Sequence, residues 1–305
     1  MIKYTFKRLL AIIPVMLLLS FFTFIMIHIA PGGPFDTERK LPPEVMKNIE
    51  KKYHLDEPLF KQYLRYVGAA LKGDLGPSFK FPGTTVSGII RESFPKTMLL
   101  GVCSLILALI IGVTAGTIAA YYQNSIKDHI SMSISMIGIC IPNFVMAPLL
   151  VLIFALYLNI LPVAGWGKAS NLILPIFCLA LPYAAYISRL QRGGMLEVLR
   201  QDYIQTARAK GMSEKRIVLI HAFKGGVLPV ISFLGPALSG ILVGSLVIET
   251  IFGIPGTGRF LVQSSLNRDY TMVMGMVLFY SIIILLLNLL VDIIYTFLDP
   301  RIRYE

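Results

Sequence analysis

Residues 189–216 hold the densest set of groups able to do chemistry: Arg189-Leu-Gln-Arg192-Gly-Gly-Met-Leu-Glu197-Val-Leu-Arg200-Gln-Asp202-Tyr203-Ile-Gln-Thr206-Ala207-Arg208-Ala209-Lys210-Gly211-Met-Ser213-Glu-Lys-Arg216. From Met195 to Lys210 the apolar positions 195, 196, 199, 203 and 207 keep helical spacing, which predicts one helix. Gly211 is the residue type that ends a helix in the left-handed conformation. Ser213 is placed to cap a second short helix with Glu214 in its first turn, running to about Phe223 and stopping at Gly225-Gly226. The expected product is a helix–turn–helix knuckle, basic on its solvent face, with Ala207, Ala209 and Gly211 leaving low relief at its tip. By its residues alone it reads as a solvated, positive-inside basic loop.

Bond-making chemistry is missing from the sequence. Gly167-Lys168 is followed by Ala169, and Pro162 stands where a phosphate-cradling loop needs its first glycine. Gly256-Thr-Gly258 runs into Arg259, Phe260 and Leu261, which spoils a dinucleotide fingerprint. Neither a His-Glu-x-x-His helix nor a Gly-x-Ser-x-Gly elbow occurs. His28, His54, His129 and His221 are scattered, and Cys103, Cys140 and Cys178 all fall inside apolar runs. No catalytic residue and no metal site is expected, so energy must come from an ion gradient or another subunit. Gradient-driven carriers place ionisable groups at mid-membrane. Here the apolar runs are almost free of them: Glu249 and Asp292 each lie near an end, with Asn143 and Asn288 as uncharged polar residues. Glu249 and Asn143 are candidates for a pathway or gate, with a structural role as the alternative. Asp292 reads as an interface anchor.

The elements that must position these groups are membrane spans. Of the 305 residues 55% are hydrophobic and 15% charged, with mean hydropathy +0.72. A soluble domain carries about 25% charged residues, so the excess apolar surface needs lipid. A net charge of +11 raises the possibility of nucleic acid, but the basic residues lie between apolar runs rather than in a soluble basic domain. Six segments are long and apolar enough to cross, roughly Leu9–Ala30, Thr97–Ala120, Met132–Ile160, Asn171–Leu190, Gly226–Phe252 and Thr271–Phe297. With the N-terminus inside, residues 1–8, 121–131, 188–225 and 298–305 are cytoplasmic and hold fourteen Lys and Arg, against three (Lys168, Arg259, Arg268) in the short outer loops. Both termini are therefore expected in the cytoplasm.

Segment 31–96 is the one sizeable water-soluble piece. Pro31-Gly-Gly-Pro34 breaks the chain as it leaves the membrane. Pro42–Leu55 and Glu57–Leu71 then show amphipathic spacing, through Val45, Ile49 and Tyr53 in one and Leu59, Tyr63 and Val67 in the other. Prolines at 14, 142, 148, 175, 182, 229 and 236 each free a carbonyl and bend the helix they lie in. Gly112-x-x-x-Gly116 and Gly240-x-x-x-Gly244 offer small faces for close helix contact.

Several of these patterns occur together, in order, in one known family. Tyr203-Ile-Gln-Thr-Ala-Arg-Ala-Lys-Gly211 resembles the "EAA" loop of ATP-binding-cassette (ABC) import permeases in its peptide-permease form. Ala30-Pro-Gly-Gly-Pro34, Gly73-Asp-Leu-Gly-Pro-Ser-Phe79, Glu249-Thr-Ile-Phe-Gly-Ile-Pro-Gly-Thr-Gly258, Asn267-Arg-Asp-Tyr270 and Asp299-Pro-Arg-Ile-Arg-Tyr304 are similar to further family patterns. Leu41-Pro-Pro-Glu-Val-Met46 and Gly76-Pro-Ser-Phe-Lys80 bring it nearest to the B-type subunits of oligopeptide permeases. It departs from the general family form in opening Gln205-Thr206-Ala207, and from the peptide branch in reading Lys224-Gly225 where that branch has Lys-Pro.

The resemblance implies an all-α integral membrane protein with six transmembrane helices and the type I importer permease fold. Its parts would be the first span (1–30), a helical extracytoplasmic segment (31–96), a five-helix core (97–298) containing the coupling loop 191–225, and a tail (299–305). It further implies a bacterial inner-membrane location, a second homologous permease, an extracytoplasmic peptide-binding protein and two cytoplasmic ATPases. ATP and Mg would sit on those ATPases and none on this chain. The coupling residues carried over are Tyr203, Thr206, Ala207, Arg208, Ala209, Lys210, Gly211 and Arg216. Lys51 and Arg259 would face the binding protein. Dipeptide, glutathione and nickel permeases share the loop, so those substrates stand as alternatives to oligopeptides, and a gradient-driven carrier stands as the contrasting class.

Overall fold

The computed structural model describes residues 2–35, 48 and 51–298. The Leu41–Met46 pattern, most of the helix expected over Pro42–Leu55 and the Asp299–Tyr304 ending lie outside the described residues. Regular structure among the described residues is helical, apart from an isolated bridge between Pro77 and Thr85. The helices are α1 (Ile2–Ile29), α2 (Leu59–Ala70), α3 (Val86–Tyr121), α4 (Ile126–Cys140), α5 (Asn143–Leu150, continued by a π-helical stretch Val151–Tyr157) and α6 (Ser170–Leu199). They are followed by α7 (Asp202–Ala209), α8 (Glu214–Arg216), α9 (Leu228–Ile251), α10 (Thr257–Leu266) and α11 (Tyr270–Leu298).

Five helices, within α1, α3, α6, α9 and α11, are long and apolar enough to cross a membrane, and α4 with α5 makes a sixth if counted as one broken span. That third segment is a correction to the single helix expected over Met132–Ile160, because it turns by 104° between Cys140 and Asn143. Pro142 cannot donate to the helix ladder, and it pushes the preceding Ile141 out of helical space to φ −89°, ψ 115°. Pro148, Pro175, Pro182 and Pro236 lie inside helices that continue, while Pro229 sits at the start of α9, where a missing N–H does no harm.

The chain forms two compact units, residues 1–96 with 255–285, and residues 97–254 with 286–305. In the first, Val86, Ile89 and Ile90 of α3 pack on Met272 and Met276 of α11. Gly275 makes the contact possible, since a Cβ there would lie 2.5 Å from Val86. The start of α11 also gathers the turns of this unit. Asp269, fully buried, caps the helix by accepting the Met272 N–H at 3.2 Å. Its other oxygen accepts the Ser78 hydroxyl and the main-chain N–H groups of Phe79 (3.1 Å) and Lys80 (3.2 Å). The Arg268 guanidinium fills the space a Cβ of Gly32 would need, and the Tyr270 hydroxyl donates to the Gly32 carbonyl at 3.3 Å. Pro31-Gly-Gly-Pro34, Gly73–Lys80 and Asn267–Tyr270, three separate patterns in the sequence, thus meet as one clasp.

In the second unit Gly112 and Gly116 make the close contact their spacing predicts. A Cβ on Gly112 would lie 2.6 Å from the Ala184 carbonyl of α6, and one on Gly116 would collide with the Ser188 carbonyl. Gly240 and Gly244 behave differently. Gly240 accommodates the Tyr183 hydroxyl, and at Gly244 the nearest atom, the Asn143 amide nitrogen, leaves ordinary van der Waals room at 3.9 Å. A core of Leu100, Leu174, Leu179, Ile241, Ile248 and Phe252 joins α3, α6 and α9.

Candidate functional site: the basic knuckle between α6 and α9

The knuckle is folded around its own small core. Ile204 and Ala207 of α7 pack with Met195 and Val198 of α6, Ile217, Val218 and Ala222 beyond α8, and Ala120 at the end of α3. Its first turn is closed by a complete Schellman arrangement. Gly211, at φ +77°, donates its N–H to the Arg208 carbonyl at 2.9 Å, and the Met212 N–H reaches the Ala207 carbonyl at 3.2 Å. Met212 then lies on the same core as Ala207, the apolar contact that accompanies this motif.

Four sequence expectations are corrected here. The helix expected over Met195–Lys210 is two helices, with α6 ending at Leu199 and α7 starting at Asp202 after extended Gln201. Ser213 takes the cap position of α8 with extended backbone, but its side chain makes no capping hydrogen bond. Gly225-Gly226 does not stop a helix, because helical turns run on through Phe223–Gly226 to α9. Gly226 instead allows two backbones to touch, since a Cβ there would lie 2.9 Å from the Met195 Cα and one on Gly194 would lie 2.5 Å from the Gly226 carbonyl. Lastly, Ala207 is buried rather than part of the tip, because it faces the knuckle's own core with Ile217, Val218 and Ala222.

The residues left on the surface define what the knuckle can do. Tyr203, Thr206, Ala209, Lys210, Gly211 and Arg216 are exposed. Arg208 is half-buried and grips Glu214 through two hydrogen bonds of 2.7 and 3.3 Å. The Glu214 carboxylate raises the guanidinium's already high pKa, so Arg208 stays charged. An open cleft of about 510 Å³ lies beside this pair, lined by Tyr121, Tyr122, Arg200 and Gln205 among others. A rigid base, a smooth alanine–glycine tip and fixed positive charge suit contact with another protein, and none of these groups is arranged for bond-making.

Two residues the sequence did not single out hold the knuckle to the rest of its unit. Asp128, buried in the first turn of α4, receives two parallel hydrogen bonds of 2.7 Å each from Arg192, two turns before α6 ends. Asp128 also accepts the Asn124 N–H at 2.9 Å. The pair spans 64 residues of sequence, and no local pattern announces it.

The remaining candidates lie elsewhere. Asn143 opens α5 after the bend, and its Oδ1 is buried without a hydrogen-bond partner. Glu249 is fully buried near the end of α9, where its Oε1 accepts the Ser245 hydroxyl at 2.9 Å and its carbonyl accepts the Ile254 N–H at 2.8 Å. α5 and α9 contribute Ala147 and Ile248 to one core, so both residues belong to the packed spans rather than to the knuckle. Lys51 and Arg259 are exposed in the first unit. Among the described residues no group of three or more His, Cys, Asp or Glu is placed to hold a metal ion.

Residues 112–304 match the family described as binding-protein-dependent transport system inner membrane component, and residues 1–101 match its N-terminal region. The oligopeptide transport system permease protein OppB of Haemophilus influenzae is 50% identical over 306 residues, covering 100% of both chains. OppB of Escherichia coli K12 is 47% identical with the same coverage. The dipeptide transport system permease protein DppB of Bacillus subtilis is 42% identical over 99% of this chain and 98% of its own. A chain from inward-facing structures of the MetNI methionine ABC transporter superposes with TM-score 0.57 at 16% identity, over 69% of this chain and 96% of that one. That last likeness concerns the fold, which is that of an ABC importer permease. The full-length relatives are named as permease proteins of transport systems, and the matched family is described as binding-protein-dependent. The chain belongs to the binding-protein-dependent transport system inner membrane components, as a multi-pass membrane permease.

Proposed function

We propose that this chain is one of two homologous permease subunits of an ATP-driven oligopeptide importer. An extracytoplasmic peptide-binding protein delivers cargo, and two cytoplasmic ATPases, which carry the ATP and Mg, drive the cycle. This subunit itself performs no catalysis. The single observation that carries the reading is the knuckle, a self-contained core capped by Gly211 that presents Ala209, Lys210 and Gly211 to solvent. Such an element moves as a body when a partner closes on it, and its displacement favours one state of the spans only if the partner grips the two states differently. The excess of Lys and Arg in residues 1–8, 121–131 and 188–225 supports a cytoplasmic knuckle and N-terminus in a bacterial inner membrane. Glu249 and Asn143 are the polar residues proposed for the pathway, and Lys51 and Arg259 for contact with the binding protein. The OppB relatives, at 47–50% identity over the full length, support oligopeptide cargo. The 42% identical DppB supports dipeptides as the second reading.

Reconstitution into proteoliposomes with the second permease, the ATPases and a binding protein tests this. Labelled oligopeptide uptake should require ATP, and Ala209→Asp should abolish it while membrane insertion and assembly stay intact. Uptake by this chain without any ATPase, driven by an imposed ion gradient, overturns the reading.

A further inference from the structure

Helix α2 lies outside the six apolar segments, yet the structure binds it to one of them. Tyr63 places its hydroxyl 2.9 Å from the Ser20 hydroxyl and 3.3 Å from the Leu17 carbonyl, both on α1. Its ring packs edge-on against Phe21 and Phe24, with centroids 5.7 and 5.5 Å away. The span within α1 is Arg8–Ile29, so these contacts, from Leu17 to Phe24, hold α2 beside the span from its midpoint into its second half, within its apolar depth.

The wheel of α2 divides into three sectors. Tyr63, Tyr66 and Ala70 share the face turned to α1. Lys61 and Arg65 lie on the opposite side, both paired with Glu57, at 3.4 and 2.6 Å. Between these sectors Phe60, Leu64, Val67 and Leu71 fall within about 60° of arc at 3.6 residues per turn. Three of the four are exposed, Phe60 71%, Leu64 53% and Leu71 83%, and Val67 is half-buried. It continues the apolar surface that α1 itself turns outward through Phe22, Met26 and Ile29. An apolar cleft of about 220 Å³, lined by Phe21, Ile25 and Ile29 of α1 with Leu59 and Phe60 of α2, runs between the two helices.

We infer that α2 is a membrane-seated helix whose Phe60–Leu64–Val67–Leu71 stripe contacts lipid acyl chains, one of which occupies the cleft against α1. Water-facing charge on one side, an apolar stripe on the next and a polar anchor to a span are the features of an amphipathic helix lying against the bilayer. A soluble segment would leave such a stripe against water, and a helix built to meet only the binding protein has no need of a hydrogen bond to Leu17. The lipid contact is independent of the cargo. Only its assignment to the outer leaflet rests on the orientation proposed above.

The test uses the assembled transporter in nanodiscs, with single tryptophans introduced by Phe60→Trp, Leu64→Trp and Leu71→Trp in a Trp166→Phe background and Lys61→Trp as the water-facing control. In nanodiscs containing acyl-chain-brominated phosphatidylcholine, the three stripe positions should show blue-shifted emission and strong loss of fluorescence. Lys61→Trp should instead be quenched by aqueous acrylamide. Stripe tryptophans quenched by acrylamide overturn the inference, as do stripe tryptophans shielded from both quenchers, the signature of a covering protein subunit. The readout contains no uptake step, so it fails or succeeds separately from the importer reading.

Discussion

Asp269 receives the Ser78 hydroxyl across 191 residues of sequence, and both groups are buried. The same carboxylate caps α11 and holds the N–H groups of Phe79 and Lys80. One side chain therefore ties the hairpin after α2 to the start of the last span.

Replacing Asp269 by alanine leaves several buried donors without an acceptor, and each such loss is worth about 1–3 kcal/mol. Asp269→Ala is expected to lower the unfolding temperature of the purified permease and to open residues 76–84 to protease. Asp269→Asn keeps one acceptor and should fall between it and the parent. An unchanged digestion pattern for Asp269→Ala would remove the clasp.

Breaking the Asp128–Arg192 pair from either side leaves a partly buried charge unmatched, at a cost of about 3 kcal/mol. Arg192→Lys keeps the charge but loses the two-pronged geometry, and should show an intermediate loss. The double reversal Asp128→Arg with Arg192→Asp should recover little. Position 128 lies in the first turn of α4 and accepts the Asn124 N–H, and both features favour an anion. Stability and peptide-stimulated ATP hydrolysis of the assembled transporter, measured together, check the series.

Arg208 and Glu214 pair on the surface, where an ion pair contributes about 0–1 kcal/mol. Glu214→Gln should therefore leave the unfolding temperature nearly unchanged. If the knuckle is the docking element, the same change should still alter ATPase coupling, because it frees a guanidinium at the contact.

Gly211 stands at φ +77° with no atom within 4 Å of a built Cβ. Conformation, not space, restricts it, so Gly211→Asn should be tolerated and Gly211→Val should cost about 1–2 kcal/mol. Thermal unfolding of the two variants separates this backbone term from any effect on docking.

Two glycines in helices make an opposite pair. Gly116→Ala drives a methyl into the Ser188 carbonyl and should destabilise by about 1–3 kcal/mol. Gly193 has open space at its Cβ, so Gly193→Ala should be neutral or stabilising by up to about 1 kcal/mol. A gain in both would mean that propensity, rather than contact between α3 and α6, governs these positions.

Composition and short-range spacing carried much of this molecule. The excess of apolar residues over any soluble interior marked the membrane spans, and the Thr206–Gly211 run marked a helix end, since a left-handed glycine closing a turn depends on neighbours a few residues away. What tertiary packing alone decided was which of several similar signals would act. Pro142, Pro148, Pro175 and Pro182 look alike in sequence, but only Pro142 breaks its span, because that outcome depends on what receives the freed carbonyls. Ala207 has the size of a docking residue, yet it is buried because the stretch beyond α8 folds back on α7. The partners of Asp128 and Asp269 lie 64 and 191 residues away. Such pairings arise only when separate helices meet, so the chain order of the residues holds no trace of them.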